Sequence, residues 1–275
     1  MDSLSNIKIA FIGGGVMAEA FMRGLLGRGV SPQQITVGEP VPARRDQLAQ
    51  ALGVRAVASN SEAAADADVL VLAVKPQVLG RVLDDLAGRV AAETPVLSIV
   101  AGARIATIRA ALGTPMVVRI MPNTPAQVGE GISVWTATPE TDEAQRERAR
   151  EMLAALGQEV QVDGEHYIDM ATALSGSGPG YVFLFIEALV DAGVHMGFSR
   201  PVAEKLALQT VRGAVVYAQE SGEHLAVLRN RVTSPGGTTA EALYELEKGG
   251  LRALVARAVW VAYERARTLG RSEDR

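Results

Sequence analysis

Hydrophobic and polar positions divide this chain into two unlike halves. Through residue 163, short apolar runs alternate with stretches of helical period. Ile7–Ile12 is a β-branched run closed by three glycines, which predicts a strand entering a tight turn. Met17, Ala20, Phe21, Leu25 and Leu26 recur near helical spacing and predict a helix over Val16–Gly27. A second strand is expected at Ile35–Val37 and a second helix at Pro42–Leu52. The run 68–74 is nearly all apolar, as suits a parallel strand covered on both faces. Further strands are expected at 95–100, 116–120, 131–135 and 158–162, with helices between the earlier ones. Such alternation implies a parallel, doubly wound sheet of Rossmann type with right-handed crossovers.

Beyond residue 163 the strand signal stops. Residues 178–198, 201–221, 238–248 and 250–269 read as helices, so the expected division is a nucleotide-binding domain over 1–163 and an all-α domain over 164–275. The first of these helices carries 181–190, Tyr-Val-Phe-Leu-Phe-Ile-Glu-Ala-Leu-Val, apolar on every side. A helix of that kind needs cover all round. About 110 residues of helix can hardly supply it alone, so a homodimer is expected.

Composition narrows the field. At 275 residues, 48% hydrophobic and 21% charged, the chain has a globular make-up with room for two domains. A net charge of -4 gives no footprint for nucleic acid or an anionic membrane. Arg and Glu interleave along the helices as on solvated faces. There is no cysteine, which removes disulfides, thiolate metal sites and a Cys nucleophile. His166, His195 and His224 lack metal-ligand spacing, and no metal site is expected. No uninterrupted apolar run reaches the roughly 20 residues of a bilayer span, and the polar N-terminus is unlike a secretory signal. The expectation is a cytoplasmic protein.

Chemistry first shows at Gly13-x-Gly15-x-x-Ala18, the dinucleotide fingerprint. Gly13 permits the turn, Gly15 lets the backbone approach a pyrophosphate and Ala18 keeps the helix close to the strand. The helix N-terminus supplies free N–H groups, with Gly14, Val16 and Met17 also expected at the cofactor. The motif follows a strand and heads a βαβ unit, the context that gives it weight. At the end of the second strand, Glu39 stands where an acid binds a ribose 2′-hydroxyl. Arg44 and Arg45 follow and would attract a 2′-phosphate. The two signals oppose each other, leaving NADH and NADPH both open.

Three further segments carry a specific resemblance. They are Met121-Pro122-Asn123-Thr124-Pro125 running to Gly131, then Leu174–Tyr181, then Val232-Thr233-Ser234-Pro235-Gly236-Gly237-Thr238-Thr239. Together with Ala73-Val74-Lys75-Pro76 and the glycine loop, they resemble the signature blocks of the pyrroline-5-carboxylate reductases, in order and over nearly the whole chain. The resemblance implies NAD(P)H-dependent reduction of L-1-pyrroline-5-carboxylate to L-proline. It implies a Rossmann domain, a helical domain interlocked in a dimer and often built into a decamer, and a site completed by the partner subunit. By the same resemblance Asn60 reaches the adenosine side of the cofactor. Ala73, Lys75, Pro76, Asn123, Pro125 and Ser177 line the nicotinamide end. Ser234, Gly236, Gly237, Thr238 and Thr239 hold the substrate carboxylate, with the Thr239 hydroxyl near the imine nitrogen as a possible proton donor.

On physical grounds Thr238-x-x-Glu241 reads as a capping box, with Thr238 as N-cap. Asp169 and Thr172 read as support for a helix end. Gly180, Leu225 and Asn230 depart from the family pattern, which usually has Ala, Pro and Asp there. Two other readings are a 3-hydroxyacid dehydrogenase and a non-catalytic nucleotide sensor. The first needs a lysine on the first long helix, which has no Lys or Arg before Arg200. A sensor has no use for a carboxylate site.

Overall fold

The computed structural model describes Leu4 and residues 6–272. The described strands form one sheet in the order β3-β2-β1-β4-β5-β6-β7-β8. They are β1 (Ile9–Ile12), β2 (Ile35–Gly38), β3 (Arg55–Val57), β4 (Val69–Leu72), β5 (Val96–Ser98), β6 (Val117–Met121), β7 (Gly131–Ala137) and β8 (Gly157–Gln161). The order doubles back between β1 and β4, the switch point at which open α/β sheets bind ligands. The pairing sets Ile12 beside both Gly38 and Leu72, so Gly13, Glu39 and Ala73 leave the sheet at one level.

The sheet is doubly wound because successive side chains point to opposite faces. Ile9 and Phe11 of β1, with Val69 and Val71 of β4, pack with α1 (Val16–Gly27), α2 (Pro42–Leu52) and α6 (Glu143–Ala154). Ala10, Ile12, Leu70 and Leu72 pack on the other face with α3 (Asn60–Ala64), α4 (Pro76–Leu86) and α5 (Ile105–Leu112). Helix limits follow local chemistry. Pro42 starts α2 at the first helical position, and Gly53, at φ +70°, stops it.

Two features differ from the expected sheet. β7 runs antiparallel to β6, with Met121 opposite Val134, and β8 then pairs parallel to β7. Residues 122–130 hold only a 3-10 turn, Thr124–Val128, and are too short for the crossover that parallel pairing needs. The strand β3, absent from the sequence reading, adds an edge beside β2.

The chain gathers into two compact units, the first running to Ser177 and taking in residues from Ala262, the second Gly178–Val261. The first therefore extends past residue 163 and includes α7 (Glu165–Ala171) and a π-helical turn, Thr172–Gly176. The second comprises α8 (Gly178–His195), α9 (Arg200–Ser221), α10 (Leu225–Arg231), α11 (Thr238–Lys248) and the start of α12 (Leu251–Ser272). Here α8 packs on α9 through Val190, Ala203 and Ala207. Ile186 and Val194 lie against the same cluster, whereas other apolar side chains of α8 are exposed: Phe183 is 64% exposed and Leu184 68%. The helical run Glu165–His195 is apolar and long enough, by length and composition, to cross a membrane.

Candidate functional site

The glycine loop is shaped by its backbone. Gly13 has φ +97°, and a Cβ there would lie 2.7 Å from the Ala73 carbonyl oxygen. Its N–H donates to the Gly38 carbonyl at 2.8 Å, tying the loop to β2. Gly15 is the N-cap of α1, and a Cβ built on it meets nothing within 4 Å. The first backbone bond of α1 runs from the Glu19 N–H to the Gly15 carbonyl, so the Val16, Met17 and Ala18 amides precede any intrahelical acceptor. Open space in front of free amides at a helix N-terminus fits a dinucleotide pyrophosphate.

Beside this loop Glu39 is 9% exposed. Its carboxylate accepts from the Gly14 N–H at 3.0 Å and from the Val41 N–H at 2.9 Å. Arg44 donates through Nε to the Gly14 carbonyl at 2.6 Å and pairs through Nη2 with Glu19 at 2.6 Å. Glu19 is also paired with Arg23, and the hydrogen bond from Arg23, helped by Arg44, holds its carboxyl below the usual glutamate range despite partial burial. Arg45 donates to the Glu39 and Pro40 carbonyls, both at 2.9 Å. Asn60, the first residue of α3, lies over the end of β2: a Cβ on Gly38 would be 3.0 Å from its Oδ1. Its amide donates to Asp85 at 3.2 Å.

Residues assigned to the other end of the cofactor group around the ends of β4 and β6. Ala73 donates to the Ile12 carbonyl at 2.9 Å, Lys75 is the exposed N-cap of α4, and Pro76 is its first residue. Asn123 is held by the protein: Oδ1 accepts from the Ile132 N–H at 3.0 Å, and Nδ2 donates to the Ser175 carbonyl at 3.2 Å. It clamps the Thr124–Val128 turn, which contains Pro125, between β7 and the π-helical turn. Ser177 donates to the Thr172 carbonyl through both N–H and hydroxyl at 2.9 Å, closing that turn. A Cβ on Gly176 would meet the Met121 Cε at 2.8 Å.

Of the charges beneath these loops, sequence reasoning named Asp169 alone, as helix-end support, and missed its partners. Arg119, inside β6 and 1% exposed, binds Asp169 at 2.8 Å and Glu165 at 2.9 Å, both from α7. Arg104 pairs with the other Asp169 oxygen at 3.2 Å, and Glu165 also accepts from the Ile105 N–H at 3.0 Å. The available signal was an arginine between Val118 and Ile120 in an otherwise apolar strand.

In the second unit, Ser234–Gly237 forms a tight turn. The Gly237 N–H donates to the Ser234 carbonyl at 3.0 Å, with Pro235 and Gly236 (φ +67°) in the centre, a type II arrangement. Gly237, not Thr238, is the N-cap of α11, and there is no side-chain cap, so the expected capping box does not form. Gly237 already holds the extended cap conformation, which puts Thr238 inside the helix. Ala240 and Glu241 donate to the Gly237 carbonyl, leaving the Thr238 and Thr239 amides ahead of the first intrahelical bond. No atom lies within 4 Å of a Cβ built on Gly236. His224 caps α10, its Nδ1 accepting from the Ala226 N–H at 3.2 Å. Leu225 is exposed, and Asn230 accepts from Arg229.

An open groove of about 960 Å³ is lined by Ile105, Arg109, Thr138 and Arg146, none of which belongs to the glycine loop or the Asn123 turn. Among the described residues, no group of three or more His, Asp and Glu is placed to hold a metal ion.

Comparison with known proteins agrees with this arrangement. Residues 165–269 match the family model described as pyrroline-5-carboxylate reductase dimerisation. Residues 8–102 match that described as NADP oxidoreductase, coenzyme F420-dependent. A pyrroline-5-carboxylate reductase from Synechocystis sp. is 46% identical over 268 residues, 97% of this chain and 99% of the relative. The solved structure of a pyrroline-5-carboxylate reductase from Coxiella burnetii superposes with a TM-score of 0.88 at 38% identity, covering 96% of this chain and 99% of that one. A Plasmodium falciparum pyrroline carboxylate reductase, solved with NADP bound, gives a TM-score of 0.87 at 32% identity over 96% and 98%. With its nucleotide-type sheet, its helical dimerisation region and this full-length similarity, the chain belongs to the pyrroline-5-carboxylate reductase family.

Proposed function

We propose that this protein reduces L-1-pyrroline-5-carboxylate to L-proline, the last step of proline biosynthesis, using NADPH or NADH. The observation that carries the reading is the start of α11. Two amides, Thr238 and Thr239, lie open behind a Ser-Pro-Gly-Gly turn with free space at Gly236. A helix N-terminus of that kind suits a small carboxylate, and the family membership supplies the substrate that bears one.

In this reading Ser234, Gly236, Gly237, Thr238 and Thr239 hold the carboxylate, and the Thr239 hydroxyl contacts the imine nitrogen. The glycine loop, Glu39 and Asn60 hold the adenosine and pyrophosphate, while Ala73, Lys75, Pro76, Asn123, Pro125 and Ser177 support the nicotinamide end. Because Asn123 and Ser177 are spent on backbone contacts, their part is to fix the loop. When bound, the dihydronicotinamide supplies a hydride to carbon five of the C=N bond and is oxidised as the nitrogen takes a proton. The chain's task is then orientation, exclusion of water and stabilisation of charge. Functionally, residues 1–163 serve the nucleotide and 164–275 serve substrate binding and dimerisation. The bare face of α8 is covered by a second copy in a cytoplasmic homodimer.

Thr239→Val tests the assignment, since it removes the hydroxyl at nearly constant volume. Reduction is expected to fall about 100-fold, the lower range for loss of a proton-transferring group, with dinucleotide affinity unchanged. Unaltered kcat and KM would remove Thr239 from the site.

A further inference from the structure

The turn after β2 fixes which adenosine ribose this chain accepts, and from its geometry we propose that the protein selects NADH over NADPH. The inference rests on the dinucleotide reading above and goes beyond it. In Rossmann folds the end of the second strand meets the adenosine ribose, where an acid accepts from a 2′-hydroxyl and a 2′-phosphate needs cations or free backbone amides.

Residues 39–45 are built against the phosphate. The Glu39 carboxylate is fixed in place by the Gly14 and Val41 amides, each using one of its oxygens. That leaves lone pairs on both oxygens for ribose hydroxyls, and a negative charge that cannot swing away from a phosphate. Amides are scarce. Pro40 and Pro42 have none, Glu39 gives its own to the Val57 carbonyl and Val41 to the Glu39 carboxylate. Arg44 and Arg45 donate theirs to the Val41 carbonyl at 3.1 and 3.0 Å, which leaves the Ala43 amide alone for a phosphate beside the Glu39 charge.

Of the two cations, Arg44 is committed. All three Arg44 nitrogens are engaged: Nε on the Gly14 carbonyl at 2.6 Å, Nη1 on Gln47 at 2.8 Å and Nη2 on Glu19 at 2.6 Å. Its charge is matched by Glu19, and releasing it would undo a contact that shapes the glycine loop. Arg45 binds two carbonyls, both through Nη1, and keeps Nε and Nη2 unspent, but one of those carbonyls belongs to Glu39, whose charge any phosphate there must face.

The test is calorimetric titration of the intact protein with NADH, NADPH, ADP-ribose and 2′-phospho-ADP-ribose, without substrate. Expected are Kd values roughly ten-fold or more lower for NADH than NADPH, with the same order for the two fragments, about the effect of one unfavourable charge contact. Glu39→Gln should narrow that ratio. If it instead disturbs the loop and weakens both dinucleotides alike, Arg45→Ala decides: NADPH affinity is expected to stay within two-fold, roughly the limit such a titration resolves. NADPH binding as tightly as NADH, or a marked loss of NADPH affinity in Arg45→Ala, would overturn the selectivity and make Arg45 a phosphate ligand. Failure of all four ligands to bind would instead overturn the dinucleotide reading itself.

Discussion

Arg119 and Asp169 meet in a buried ion pair at 2.8 Å that ties β6 to α7, two elements 50 residues apart in sequence. Asp169 answers a second cation, Arg104, and Arg119 a second acid, Glu165. The pair lies below both the Asn123 loop, which follows β6, and the π-helical turn, which follows α7. It therefore sets the two segments that Asn123 and Ser175 join above it.

Removing one partner strands the other. Arg119→Met is expected to lower unfolding free energy by about 3–5 kcal/mol, the cost of an uncompensated buried charge. The double variant Arg119→Met with Asp169→Leu should recover part of that loss. Urea denaturation of the three proteins measures it, and an unchanged midpoint for Arg119→Met would contradict the burial argument.

Gly13 has a backbone conformation and a neighbour that both exclude a side chain. In Gly13→Ala the left-handed geometry alone costs about 1–2 kcal/mol, before the added Cβ meets the Ala73 carbonyl. Dinucleotide binding is expected to be lost, whereas Gly27→Ala, with open space at its Cβ, should bind normally. Equal affinities in a fluorescence titration would count against the loop.

Glu19 gives the glycine-loop corner a pH dependence. Its pKa is lowered chiefly by the hydrogen bond from Arg23 and further by Arg44. A carboxylate depressed by folding adds stability that is fully present above its unfolded value, near 4.5, and is lost as pH falls through the folded value. Wild-type protein should thus lose more stability than Glu19→Gln on acidification below about pH 5. Parallel stability curves for the two proteins would refute this.

The uncovered apolar face of α8 points to assembly. Burying a side chain such as Phe183 or Leu184 is worth about 1.5–3 kcal/mol. The wild-type chain is expected to sediment as a dimer or larger, and Phe183→Glu with Leu184→Glu to shift it toward monomer. A monomeric wild-type protein at micromolar concentration would leave that face unexplained.

Much of the nucleotide unit was legible because Gly and Pro punctuate it. Val16–Gly27 and Pro42–Leu52 form helices with the expected bounds, set by Gly15 and by Pro42 with Gly53. Strand direction was not legible. Gly131–Ala137 has the same pattern whichever way it runs, and only the short 122–130 connection makes it antiparallel. Three residues at a sheet edge, Arg55–Val57, give too weak a period to be seen. The capping motif misled at Thr238, where glycine took the cap, yet Asp142-x-x-Gln145 forms a true box at the start of α6. Glu39, Arg44 and Arg45 were visible as residues, but their hydrogen bonds came only with the fold. The partners of Arg119 depend on long-range packing that no local pattern encodes.

Chemistry at the two helix N-termini is tested most directly by mixing the protein with NADH, or with NADPH, and pyrroline-5-carboxylate while following reduced-nicotinamide absorbance. The result expected is loss of absorbance matched one for one by proline, and no reaction when oxidised cofactor is offered a 3-hydroxy acid. Bound cofactor that stays reduced in the presence of pyrroline-5-carboxylate would contradict the proposed activity.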